Sequence, residues 1–263
     1  MNADYHLHTP LCRHATGTPS DYAAAALARG FTEIGFADHN PMPEPFDDWR
    51  MTIDELPRYV QSVEEARRAH PECVIRLGLE CDFIPGYEWW IEKLAAMAEW
   101  DYLIGSVHYI APGWDVDNPR WIGKFREHPV AEIWALYWKA YEACIRSGLF
   151  DFVAHPDLVK KFGHRPAGDL RPYYEGSVAA LAAKGVPFEI NTAGLRKDVR
   201  EMYPAKEFLA MAFEAGAPLL INSDAHSPEE VGRDFDKAVA LAREAGYRRT
   251  LRFQGRRSSP VPI

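Results

Sequence analysis

Four cysteines in 263 residues, Cys12, Cys73, Cys81 and Cys144, are too few and too scattered for a disulfide-stapled scaffold. No two form a C-x-x-C pair, which removes the usual redox and zinc-ribbon motifs and points to a reducing cytoplasm. No uninterrupted apolar run approaches membrane-spanning length, so no membrane partner is expected. A basic stretch followed by an apolar one is missing at the start, which argues against a signal peptide. Excess positive charge is lacking too: 30 Lys and Arg stand against 38 Asp and Glu, a net −8. That disfavours a nucleic-acid or anionic-membrane face, though not a small basic pocket for one phosphate. No glycine-rich phosphate loop follows the first strand pattern, which weakens a dinucleotide-binding reading. Repeats, low-complexity stretches and linkers are also absent, so residues 1–263 read as a single domain.

What is present is alternation. Strand patterns at 4–8, 33–37, 74–83, 102–108, 152–155, 187–191 and 219–222 are separated by helical ones at 19–30, 51–70, 87–99, Val130–Ser147, 173–184, 205–215 and 228–245. Thr52 suits a helix N-cap with Pro57 in the first turn. The tail at 250–253 could add an edge strand. Strict βα alternation predicts an α/β fold with parallel strands and right-handed crossovers, either a barrel or a doubly wound sheet.

The polar residues cluster at the strand ends. His6 and His8 end the first, Asp38 and His39 the second, Glu80 and Asp82 lie on the third, and His108 and His155 end the fourth and fifth. Asp224 and His226 follow the last. The C-terminal rim is where α/β folds build active sites. Alternate residues share a strand face, so His6 and His8 project together, and Asp224 and His226 repeat that spacing. If the sheet closes, both pairs face one pit. Imidazole and carboxylate suit zinc, iron or manganese. One divalent ion takes about four to six donors. This set exceeds that, which points to two or three ions with a bridging carboxylate. Asp82 shares the face of Glu80 and is a rival ligand, Cys12 and Cys81 read as packing, and Asp38 reads as orienting a neighbouring ligand. His70, His128 and His164 read as ordinary surface or helix-end residues.

The series H-x-H-x5-H (His6, His8, His14), DH at Asp38-His39, Glu80, SVH at His108, AHP at His155 and DAH at Asp224–His226 resembles the PHP (polymerase and histidinol phosphatase) superfamily in content and order, over nearly the whole chain. The resemblance implies a distorted, TIM-like (βα)7 barrel with three divalent transition-metal ions, zinc, iron or manganese, at its rim. One ion would take His6, His8, Glu80 and Asp224; a second Glu80, His108 and His155; a third His14, His39 and His226. The stretches SVHYI, AHPDLVKKFG and EINTAGLRK are similar to the histidinol-phosphate phosphatase branch. That implies hydrolysis of a phosphomonoester by metal-activated hydroxide, with Glu80, Asp224 and His226 in the catalytic machinery.

Phosphate needs cationic donors besides metals. Arg196 offers a bidentate fork and Lys160 and Lys161 lie after the fifth strand, with Lys197 and Arg165 as secondary choices. Asp115, Asp117, Trp114 and Trp121 either read an ammonium and an imidazole or belong to a structural flap. The alternatives are a PHP phosphoesterase for a nucleotide, sugar phosphate or phosphotyrosine, a metal-dependent amidohydrolase, or a non-catalytic metal-binding module. Self-association as a homo-oligomer stays open.

Overall fold

A computed structural model describes residues 3–263. Strand β1 (Asp4–Leu7) leads to helix α1 (Pro19–Ala28). Thr18 caps that helix: its hydroxyl accepts from the Asp21 amide while the Asp21 carboxylate accepts from the Thr18 amide. After β2 (Glu33–His39), Thr52 opens a 3-10 turn, Ile53–Glu55, that runs into α2 (Leu56–Ala69). Pro57 sits in its first turn, where no intrahelical donor is needed. Next come β3 (Val74–Asp82), α3 (Glu88–Ala95) and β4 (Tyr102–Ser106). The stretch before the fifth helix has structure of its own. It holds the antiparallel pair β5 (Tyr109–Ala111) and β6 (Trp114–Asp115) and a short α4 (Lys124–Glu127). The chain continues through α5 (Val130–Ser147), β7 (Phe152–Val153), α6 (Arg171–Lys184) and β8 (Phe188–Asn191). It then forms α7 (Lys206–Glu214), β9 (Leu219–Asn222) and α8 (Phe235–Ala245). The helix expected from 228 starts later, because Gly232 and Asp234 take left-handed φ values of 62° and 61°. A hairpin of β10 (Arg249–Gln254) and β11 (Arg257–Pro262) ends the fold.

The order β1-β2-β3-β4-β7-β8-β9 is parallel throughout. The two ends of this seven-stranded sheet meet. Leu7 bridges Ala225 in parallel: the His8 amide donates to the Ala225 carbonyl and the Ala225 amide to the His6 carbonyl, each at 3.0 Å. The result is a nearly closed, distorted barrel, which decides between the two architectures. The outer core lies between strands and helices.

The tail is a correction. It adds no edge strand, since β10 and β11 pair with each other. The hairpin instead plugs the N-terminal end of the barrel. Phe253 sits 6.2, 6.0 and 5.4 Å from the rings of Tyr5, Tyr102 and Phe152, and with Ala37, Ile104, Ala154 and Leu220 these form a separate interior core. Tyr102 fits inside because Gly35 and Gly78 have no Cβ; one at either would fall 2.2 Å from its ring or hydroxyl. Apolar side chains thus fill the lower barrel and leave the C-terminal rim to polar groups. Among the described residues no helix is long and apolar enough to cross a membrane.

Candidate metal centre

The expected donors come together. His14, His39, Glu80, His108, His155, Asp224 and His226 line a pit of about 260 Å³ at the rim, with buried His6 and His8 against Glu80 and Asp224. The first and last strands are neighbours, so the two one-apart pairs share that pit. Asp224 takes a left-handed φ of 52°, a strained conformation held by the Leu7–Ala225 bridge beside it.

Glu80 stands between two groups of imidazoles. Its Oε1 lies 3.0 Å from His155 Nε2 and 3.7 Å from His108 Nε2. Its Oε2 lies 2.9 Å from His39 Nδ1, 3.2 Å from His6 Nε2 and 3.6 Å from His8 Nε2. Asp224 Oδ1 lies 3.2 Å from His8 Nε2, 3.6 Å from His226 Nδ1 and 3.9 Å from His6 Nε2. Five overlapping compact donor groups follow: His14, His39 and His226; His6, His8 and Asp224; His6, Glu80 and His155; His8, His39 and Glu80; and His8, Cys12 and His226.

The chemistry of this set fits cations. His6 Nε2, His8 Nε2, His39 Nδ1, Glu80 Oε2 and His226 Nε2 are buried without a hydrogen-bond partner, although donors and acceptors crowd one another. Buried polar atoms are normally paired, so these call for another ligand. Burial would raise the carboxyls of Glu80 and Asp224, but His6 and the surrounding imidazoles outweigh it and hold both well below the ordinary range. Burial, reinforced by His39 and His8, pulls His14 down to about 4 and leaves it a neutral donor.

The outer nitrogens are held from behind. His6 Nδ1 lies 3.1 Å from both carboxylate oxygens of Glu189, and His108 Nδ1 lies 2.7 Å from Asp82 Oδ1. His14 Nδ1 meets the Cys12 carbonyl at 2.7 Å. Asp38 Oδ1 lies 3.5 Å from His8 Nδ1, beyond hydrogen-bond distance, and that carboxylate accepts from Thr9 and the His39 amide instead. The carboxylate–imidazole pairs of Glu189 and Asp82 fix ring tautomer and basicity. Asp82 is therefore not a rival to Glu80: its other oxygen takes a salt bridge from Arg50 at 2.8 Å. Cys12 is fully buried, with its sulfur within 4.8 Å of ring nitrogens of His8 and His226.

The cations divide. Lys161 lines the pit, paired to Asp117 at 2.8 Å. Lys160 does not reach it. That ammonium is fully buried, 3.0 Å from Asp157 Oδ2 and 2.8 Å from the Met202 carbonyl, because the 3-10 turn Leu158–Lys160 aims adjacent lysines in different directions. Arg196 is also held outside the lining, by Glu230 at 2.8 Å and the Ser223 carbonyl at 2.9 Å, and Lys197 takes the place beside the pit. Arg165 pairs with Glu201. Of the flap residues, Asp117 lines the pit. Asp115 lines an adjoining recess with Asp48 and Trp49, and Trp114 packs on His128. Glu189 and Tyr203 were missed. Glu189 had one signal: a lone carboxylate within the apolar strand FEIN, on the same face as Asn191.

The PHP domain family model matches residues 4–193. This chain belongs to the PHP domain family. A probable histidinol-phosphatase of Deinococcus radiodurans is 44% identical, over 98% of this PHP chain and 98% of its own length. The histidinol-phosphatase of Bacillus subtilis is 28% identical over 89% and 96%. The PHP barrel also resembles the histidinol phosphate phosphatase of Lactococcus lactis, crystallised with zinc, L-histidinol and phosphate. The TM-score is 0.81 and the identity 22%, covering 98% of both chains.

Proposed function

We propose that this PHP protein is a metal-dependent phosphomonoesterase that hydrolyses L-histidinol phosphate to L-histidinol and phosphate. One observation carries the reading. Glu80 turns one oxygen to His155 and His108 and the other to His6, His8 and His39, the posture of a bridging carboxylate in a multi-ion centre. The full-length similarity to a probable histidinol-phosphatase supports the substrate.

His6, His8, His14, His39, Glu80, His155, Asp224 and His226, which fall in the donor groups described above, would hold three divalent ions, zinc, iron or manganese, with His108 joining from 3.7 Å off Glu80 Oε1. Such ions, when bound, acidify water toward neutral pH and offset phosphoryl charge. The protein's own part is positioning. Glu80 and Asp224 stay ionised at the centre of the imidazoles, and His226 lies on the pit wall facing Asp224. Lys161 and Lys197, both in the pit lining, present cations to a phosphoryl group, with Asp117 orienting Lys161. Asp48, Asp115 and the Trp49 ring border the adjoining recess and suit a cationic leaving group. All four cysteines are unpaired and buried, in keeping with a cytoplasmic setting.

Turnover of L-histidinol phosphate, a nucleoside monophosphate, a sugar phosphate and phosphotyrosine by one metal-analysed sample tests this. L-Histidinol phosphate should lead in kcat/KM by about two orders of magnitude or more. A flat profile, or a lead for another ester, overturns the substrate.

A further inference from the structure

Tyr203 is almost wholly buried and lines the pit beside His155, Asp224, Lys161 and Lys197. Its hydroxyl has no hydrogen-bond partner among the described residues. Two other buried phenols share that condition, Tyr22 and Tyr174, but neither is part of the pit lining. A buried hydroxyl without a partner is costly, and for Tyr203 the adjoining pit is where a ligand would supply one.

The ring is held from several sides. The Tyr203 backbone exchanges two hydrogen bonds with Asn191: the Asn191 amide donates at 2.6 Å and the Tyr203 amide at 3.0 Å. Lys160 donates to the preceding carbonyl, that of Met202, and its ammonium lies 5.5 Å from the centre of the Tyr203 ring. Gly194 lets the segment approach, since a Cβ there would strike the Glu201 carbonyl.

We propose that the Tyr203 hydroxyl is a catalytic hydrogen-bond donor to a phosphoryl oxygen of the substrate, an assignment that rests on the phosphomonoesterase reading. No bond to Tyr203 forms or breaks; its proton stays on the phenol and is shared with the phosphoryl oxygen in the ester and in product phosphate. Burial, with the charges of Asp117, Asp157 and Asp224, keeps the phenol protonated at neutral pH. Lys160 is then a positioning residue, acting through the Met202 carbonyl on the segment that carries Tyr203.

The test compares the metal-loaded protein with its Tyr203→Phe variant. Three quantities are read: kcat/KM on L-histidinol phosphate and on p-nitrophenyl phosphate, the Kd of inorganic phosphate by calorimetry, and metal content. Both esters should lose roughly ten- to a hundredfold in kcat/KM, and phosphate binding should weaken by a similar factor, the range for a hydrogen bond to a charged group. Metal content should not change. A phosphate Kd within about twofold of the parent overturns the assignment, as does a loss confined to L-histidinol phosphate, which would place the phenol on the leaving group. Loss of bound metal together with activity would show a structural role and overturn it too. A parent enzyme that cleaves p-nitrophenyl phosphate but not L-histidinol phosphate refutes the proposed substrate and leaves the Tyr203 comparison decisive.

Discussion

His6 Nδ1 lies 3.1 Å from each carboxylate oxygen of Glu189. Glu189 also accepts from the His155 amide at 2.9 Å and from the side-chain amides of Asn191 and Asn222, each at 2.7 Å. One buried carboxylate therefore sets the angle of a ring on β1 and ties down the chain after β7.

Glu189→Gln removes the charge and keeps the shape. With the His6 tautomer no longer enforced, affinity for zinc or manganese should fall by about 10- to 100-fold, measured by competition with a chelating indicator. Equal affinities would show that Glu189 serves packing alone.

Metal removal should cost stability, because the donors left behind at His6, His8, His39 and Glu80 are buried without partners. At a metal concentration about a thousandfold above Kd, the bound form gains about 4 kcal/mol, or on the order of ten degrees in Tm. Calorimetric scans with and without a chelator measure it. Coincident transitions would mean that the rim binds no structural cation.

Lys160 and Lys161 are adjacent in sequence and should fail differently. Lys160→Met strands the buried Asp157 carboxylate and should destabilise by about 3–5 kcal/mol in denaturant unfolding. Lys161→Met removes a cation from the pit, so KM should rise by about tenfold or more, while the stability loss should stay below that of Lys160→Met because the Lys161–Asp117 pair is part-exposed. The reverse pattern would contradict both placements.

Phe253→Ala empties the plug beneath the barrel. The cost should be about 3–5 kcal/mol in unfolding free energy, since Tyr5, Tyr102 and Phe152 close on that ring. A cost below about 1 kcal/mol would show that the hairpin is an appendage rather than part of the core.

Residue periodicity along the chain was enough for the alternation of strands and helices, and hence for a parallel α/β architecture with its polar residues at the strand ends. Period-two geometry was enough to bring His6 and His8 to one side, whereas Asp224 and His226 lie past the end of β9 and meet the pit through the left-handed turn at Asp224 and the Leu7–Ala225 bridge. The wrap of the sheet onto itself was legible only through the family resemblance and not from periodicity, because the Leu7–Ala225 contact spans most of the chain and is set by strand twist and interior volume rather than by local propensity. The same reason hid Glu189, Tyr203 and the hairpin plug. Each has a role only through partners brought near by barrel closure. Tertiary structure alone also separated Lys160 from Lys161, for a single turn of backbone sends one ammonium into a buried carboxylate and the other into the pit.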